Sequence, residues 1–178
     1  MDKLFWGKIS IHKTFALYYF EDKTVVQSIL HTLKYKNNQQ IGRQFGRKIG
    51  EKISQIYDFN DIEALLPVPM FPKKKFSRGY NQAEILAQGI SEILKVPVQQ
   101  TQVNKLKDTI SQTKKSMLER WESSEKNFSS ILNNTSYRHI AIIDDVVTTG
   151  ATLESLVKVI HAKNPELKIS LITLAITK

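Results

Sequence analysis

The sequence predicts an α/β fold built on a parallel sheet, and three stretches carry that reading. Near the end of the chain, an apolar strand at 139–144, a helix at 150–162 and a strand at 168–176 form a βαβ unit. Its crossover must be right-handed. Upstream, Ile62 to Leu66 reads as a short strand that Pro67-Val68-Pro69 ends, because proline donates nothing to a ladder. Between strand and helix of the last unit runs Ile140-Ala141-Ile142-Ile143-Asp144-Asp145-Val146-Val147-Thr148-Thr149-Gly150-Ala151-Thr152. There an apolar strand stops at two acids and opens through a Thr/Gly loop onto a helix.

Taken in order, residues 4–20 hold a short apolar stretch, a break and the aromatic run Phe15 to Phe20, which suits a hairpin or an edge element. A division into this N-terminal element, 1–22, and a main domain, 23–178, follows. Asp22 or Thr24 can cap a helix whose apolar face is Val25, Val26, Ile29, Leu30 and Leu33. A second helix carries Ile41, Phe45, Ile49, Ile53 and Ile56 on one face. Its glycines, Gly42, Gly46 and Gly50, fall four apart, a spacing that favours close helix packing over a dinucleotide fingerprint. After the Pro-ended strand come Lys73, Lys74, Lys75 and Arg78. A helix follows with Ala83, Leu86, Ala87, Ile90 and Leu94 inward, and then a candidate edge strand from Val98 to Val103. Residues 104–130 are polar, basic and weakly periodic, with a short helix around Met117 to Trp121. Such a stretch inside a compact domain reads as a lid or functional loop.

Composition narrows the function classes. The 178 residues allow one sizeable core and include no Cys, which excludes disulfides and thiolate metal sites. No apolar run approaches the roughly 20 residues needed to cross a bilayer, and the start does not resemble a signal peptide. The cytoplasm is the expected compartment, with no membrane partner. A formal charge of +9 points to an anionic partner, either a phosphorylated metabolite or a nucleic acid. His12, His31, His139 and His161 fall in separate elements with no metal-ligand spacing, so each is expected to be a surface or internally satisfied histidine.

The loop at 144–152 carries the chemistry. A helix N-terminus presents free N–H groups and the positive end of its dipole, which favours a phosphate. Gly150 lets the backbone approach closely, and the Thr148, Thr149 and Thr152 hydroxyls can donate to phosphate oxygens. Asp144 and Asp145 are wrong for phosphate but suited to accepting hydrogen bonds from a pair of sugar hydroxyls. Phosphate and diol together describe a ribose 5-phosphate. A Walker-type loop is excluded, since no Gly-x-x-x-x-Gly-Lys occurs.

This motif resembles the phosphoribosyl-pyrophosphate (PRPP) signature of type I phosphoribosyltransferases. Pro67-Val68-Pro69 followed by Arg78-Gly79-Tyr80-Asn81-Gln82 is similar, more narrowly, to ComF-type competence proteins. Leu33-Lys34-Tyr35-Lys36 upstream and the spacing of Thr109, Gln112, Arg120 and Phe128 are similar to the same family. The resemblance covers nearly the whole chain from about Phe5. It implies a type I phosphoribosyltransferase-like fold, a central parallel sheet flanked by helices with a flexible hood, and a link to uptake of transforming DNA. On that template Asp144 and Asp145 take the ribose and Mg²⁺, and Val147, Thr148, Thr149, Gly150, Ala151 and Thr152 take the 5′-phosphate. Val68, Pro69 and Arg78 take the pyrophosphate. Mg²⁺ is expected to arrive with PRPP, with no metal held by the protein alone. Two departures stand out. Many relatives begin with a four-cysteine zinc ribbon, so here the ribbon was lost or the chain is a fragment. Ser123 also stands where relatives often carry Asn.

Several roles stay open in the sequence. Lys73 to Lys75 suit either a solvated turn or a phosphate contact, and Asn81 either a cap or a ligand contact. Lys105, Lys107, Lys114 and Lys115, with Trp121 nearby, are candidates for holding single-stranded DNA, although Trp121 suits better a hydrophobic anchor pinning the lid. Three functions compete. One is a PRPP-binding phosphoribosyltransferase, a glycosyltransferase if active, on an unidentified acceptor. Another is a DNA-binding competence factor that retains a phosphate site and works with other competence proteins. The third is a nucleobase salvage enzyme, which lacks a recognisable base-reading hood.

Overall fold

A computed structural model describes residues 1–21, 24–35, 38–70, 72–99 and 135–177. The elements in chain order are α1 (Asp2–Phe5), β1 (Lys13–Phe20), α2 (Val25–Tyr35), α3 (Gln39–Ile53) and a 3₁₀ turn (Tyr57–Phe59). Then come β2 (Ala64–Pro67), α4 (Pro72–Arg78), α5 (Gln82–Leu94), β3 (His139–Val147), α6 (Ala151–Lys163) and β4 (Lys168–Thr177). The four strands lie in the order β1-β4-β3-β2 and every pairing is parallel. A parallel bridge sets Val98 beside Leu65 on the far side of β2. Leu65 N donates to Pro97 O and Gln99 N donates to Leu65 O. The chain therefore runs outward from β1 to β2 and residue 98, then returns through β3 and β4. Reversals of this kind open a crevice at the carboxyl ends of strands.

Strands β2, β3 and β4 are largely buried on both faces, as is usual in an all-parallel sheet, whereas the edge strand β1 is half-buried. Alternation along β3 shows the two-sided burial directly. Ile140 and Ile142 pack toward α6 with Leu153, Leu156, Val157 and Ile160. Ala141 and Ile143 pack toward α2, α3 and α5 with Leu33, Ile49, Leu86 and Ile90. The glycine stripe of α3 is the contact surface for α5. A Cβ added at Gly46 would sit 2.3 Å from the Leu86 carbonyl oxygen, and one at Gly89 would sit 2.3 Å from that of Arg43. Any side chain at either position would force the helices apart.

Several expectations are adjusted. Of the hairpin or edge element expected over 4–20, the described chain forms α1 and a single edge strand, β1, parallel to β4. The strand expected to end at Asp144 continues to Val147, because the neighbouring β4 extends to Thr177 and offers partners. Val25, expected on the inward face of α2, is 75% exposed, since the helix begins there beyond the sheet's cover. The strand expected over 98–103 is a bridge at Val98, with its remainder outside the described residues. The lid expected over 104–130 also lies outside them.

Candidate functional site

Two loops meet at the carboxyl ends of β2 and β3. They frame a crevice of about 180 Å³ with Val68, Pro69, Lys74 and Arg78 on one side and Asp144, Asp145 and Thr152 on the other. A smaller hollow of about 50 Å³ lies within the loop at 146–153 and shares Asp144 and Thr152 with the first. The two spaces therefore adjoin at these residues. The period of two along a strand divides the acid pair between the faces of the sheet. Asp145 continues the row of Ala141 and Ile143 toward α2, whereas Asp144 continues the row of Ile140 and Ile142 toward α6.

Each carboxylate is turned back on the chain by one oxygen. Asp144 Oδ1 accepts from Asp145 N at 2.9 Å, and Asp145 Oδ1 accepts from Val146 N at 2.8 Å. The second oxygen of Asp145 is buried and takes no hydrogen bond among the described residues. The Lys34 ammonium, 3.2 Å away, faces it as an ion pair. Burial, and then the Asp145 charge alongside, push the Asp144 carboxyl well above the usual carboxylate range.

The loop after β3 has the features expected of an anion cradle. Gly150 caps α6 at φ 74°, a left-handed conformation that disfavours any side chain. Thr148, Thr149 and Thr152 are exposed. One finding departs from the sequence argument, which reserved the space at Gly150 for a ligand. A Cβ there would meet Phe5 Cε1 at 2.7 Å and Leu4 Cδ2 at 3.0 Å. The missing side chain thus makes room for α1, which packs beneath the loop.

The opposite wall is wired together by the Arg78-to-Gln82 segment. Asn81 Oδ1 accepts from Ala83 N at 3.0 Å, capping α5, while Asn81 Nδ2 donates to Val68 O at 2.9 Å. The amide thus both caps the helix and fixes the Pro-Val-Pro turn. Tyr80 Oη and Gln82 Nε2 donate to the Leu33 carbonyl at 2.5 and 3.2 Å, fastening the last turn of α2 to this wall. Arg78 Nη1 donates to Gln82 Oε1 at 3.2 Å. Lys74 lines the crevice. Lys75 pairs instead with Glu84 at 3.2 Å, and the side chain of Lys73 is outside the description.

Sequence reasoning missed Lys34 as a neighbour of the acids. Its signal, the Leu33-Lys34-Tyr35-Lys36 run, marked a family likeness without a contact. Lys105, Lys107, Lys114, Lys115 and Trp121 lie outside the described residues. The histidines were read as belonging to unrelated elements, yet the fold joins two of them. His12 packs edge-on against His139 with ring centres 5.0 Å apart, and donor atoms of His12, Asp61 and His139 lie within 4.8 Å of one another. His139 is satisfied without an ion: Nδ1 lies 2.6 Å from Asp61 Oδ1 and Nε2 lies 2.8 Å from Ser170 Oγ.

A parallel sheet with a hydroxyl-rich helix entry and an acid pair at its carboxyl edge is the arrangement of α/β proteins that bind ligands outside their strand ends. The model of the phosphoribosyl transferase domain matches residues 31–178, and the chain belongs to that family. Among curated proteins it is 37% identical to Competence protein F of Haemophilus influenzae over 101 residues, 56% of this chain and 44% of that one. It is 27% identical to Competence protein ComFC of Bacillus subtilis over 159 residues, 89% of this chain and 62% of that one. With the DNA utilization protein YhgH of Escherichia coli K12 it shares 24% identity over 135 residues, 74% of this chain and 59% of that one. The chain thus spans 44–62% of the length of these relatives. The ComF-type likeness in the sequence is borne out. Among the described residues no helix is long and apolar enough to cross a membrane.

Proposed function

We propose that the crevice binds PRPP together with Mg²⁺, and that the protein works in the uptake or use of DNA. The observation that carries this reading is that two adjoining hollows share Asp144 and Thr152 as walls. The loop from Val147 to Thr152 takes the 5′-phosphate on the N–H groups and exposed hydroxyls at the start of α6. Asp144 and Asp145 accept from the ribose hydroxyls. Val68, Pro69 and Arg78 face the pyrophosphate, where a planar guanidinium matches phosphate oxygens in pairs. As the bond from the anomeric carbon to pyrophosphate breaks and the bond to a nitrogenous acceptor forms, the transition state carries positive charge on the sugar and negative charge on the leaving group, and the acceptor nitrogen gives up its proton. Fixed donors on the β2 side stabilise that separation.

The donor set fits Mg²⁺. Asp145 Oδ2 is a buried oxygen without a hydrogen bond, next to a second carboxylate, and hard cations take oxygen ligands. Bound with PRPP, the cation would reduce the repulsion between these acids and the substrate's phosphates. The cytoplasm is the compartment this reading implies, because a bilayer excludes so charged a substrate. Calorimetry with PRPP and Mg²⁺ tests the assignment. The wild type should bind, and Asp144→Asn combined with Asp145→Asn should not. Near-normal binding by a folded double variant would remove the ribose assignment.

The names of the relatives and the +9 charge support DNA as a second ligand. We place that contact on Lys105, Lys107, Lys114 and Lys115, because one helix N-terminus holds one anion and cannot track a strand. Changing all four to Gln should weaken single-stranded DNA binding and flatten its salt slope by about 0.7 per lost phosphate contact. PRPP binding should survive. If the wild type binds no DNA even at low salt, the DNA role acts through competence proteins as partners.

A further inference from the structure

The acid pair is not left bare in the structure described above. Lys34 Nζ stands 3.2 Å from Asp145 Oδ2, a buried carboxylate oxygen that takes no hydrogen bond among the described residues, and both side chains are largely shielded, at 23% and 14% exposure. The lysine is held in place through its neighbour. Leu33 is fully buried, and its carbonyl receives both Tyr80 Oη and Gln82 Nε2 from the wall that carries Arg78. These two bonds end on backbone, so replacing the Lys34 side chain leaves them intact. Lys34 therefore reaches the acids from a position set by the opposite side of the crevice.

We propose that Lys34 is a built-in counter-cation for Asp145: it occupies the electrostatic place of a divalent ion while the crevice is empty, and turns to the ligand's diphosphate when cation and ligand enter together. This rests on the PRPP reading above and adds a coupling to it. A free cation approaching Asp145 must displace an ammonium group that is already there, so alone it binds weakly. When the ligand brings its phosphates, Lys34 gains a new anionic partner at the crevice and releases Asp145 Oδ2 to the cation. Cation and ligand then favour each other's binding, and linkage requires the effect to be reciprocal.

The test uses Mn²⁺ as the spectroscopic cation, counted as free ion by electron paramagnetic resonance, on the full chain with and without PRPP. The wild type should hold Mn²⁺ weakly alone and about tenfold or more tightly with PRPP, within the usual range for coupled sites. Lys34→Met should tighten Mn²⁺ alone by about tenfold, weaken PRPP and shrink the coupling between them. Lys34→Arg should keep the wild-type pattern. If Lys34→Met does not fold, Lys34→Gln carries the same comparison. The proposal is overturned if the neutral variants bind Mn²⁺ alone no better than the wild type, or if the wild type binds it equally well with and without PRPP. A wild type that binds no PRPP under any condition removes the PRPP reading instead, and the Mn²⁺-alone comparison still decides the place of Lys34.

Discussion

Strand β3 begins and ends on polar groups, and its two ends treat them differently. At the start, buried His139 is bonded through both ring nitrogens, to Asp61 and Ser170, and Lys168 completes Asp61 at 3.2 Å. Arg138 and Glu63 close the neighbouring position through backbone and side chain at 2.7 and 3.3 Å. At the far end two carboxylates stand side by side, one raised in pKa and the other with a buried oxygen lacking a hydrogen bond. A buried polar group costs free energy unless it is partnered. The first end has been settled for stability. The second sets two carboxylates against the ammonium of Lys34, so a demand for positive charge remains there, as the proposed site requires.

The sharpest way to break this contrast is to neutralise the far end. Asp144→Asn with Asp145→Asn should lower PRPP affinity by at least about 100-fold while the protein remains folded, because both substitutions keep the side-chain volume and leave the core closed. Calorimetry reads the affinity and circular dichroism the fold. Gly150→Val comes next. It combines a left-handed backbone with the Phe5 contact, and should cost about 2–4 kcal/mol in urea denaturation as well as the anion site. In crystals of the native chain soaked in phosphate, the anion should appear at 148–152. An ion ordered only elsewhere would undo the helix-entry argument.

His139→Ala is the reciprocal test. It should destabilise by about 2–4 kcal/mol, since Ser170 loses a buried partner and Asp61 its closest donor. PRPP affinity should not change, because the histidine lies at the opposite end of the strand. A loss of binding without a loss of stability would reverse the comparison.

The smallest effect concerns pH, where the ends should pull in opposite directions. Burial lowers the His139 pKa below its ordinary 6.5, ahead of the opposing pull of Asp61. The unfolded chain then binds the proton more readily, so this contribution to stability is present above about 6.5 and lost as pH falls. Asp144 is raised above its ordinary 3.8, so the folded state holds its proton longer. Its contribution is full below 3.8 and is lost as pH rises toward and through the folded value. Asp144→Asn alone should therefore raise the melting temperature at neutral pH, by about 2–4 °C for each kcal/mol relieved. A melting temperature that falls at neutral pH would show that the Asp144 charge is welcome in the fold.

Much of this was legible in the sequence because it is local. The strand, acid pair, glycine turn and helix of 139–163 follow one another, and each residue type states its own requirement. The Pro-Val-Pro turn likewise announces the end of β2. Contacts that join distant segments were not legible. Lys34 meets Asp145 only because α2 covers the face to which Asp145 points, and that depends on the order of the strands. His12, Asp61 and His139 precede or begin three different strands, and only the parallel sheet brings their starts together. Val25 followed helical spacing and still faces solvent, since periodicity locates a face without saying where its cover stops.

The contact between Phe5 and Gly150 has a practical consequence for anyone handling this protein. Helix α1 is the floor beneath the loop assigned to the phosphate, so a change made in α1 acts on that loop from below without touching any residue assigned to the ligand. A loss of affinity on shortening Phe5 should therefore be checked against the fold of the loop before it is credited to a lost ligand contact.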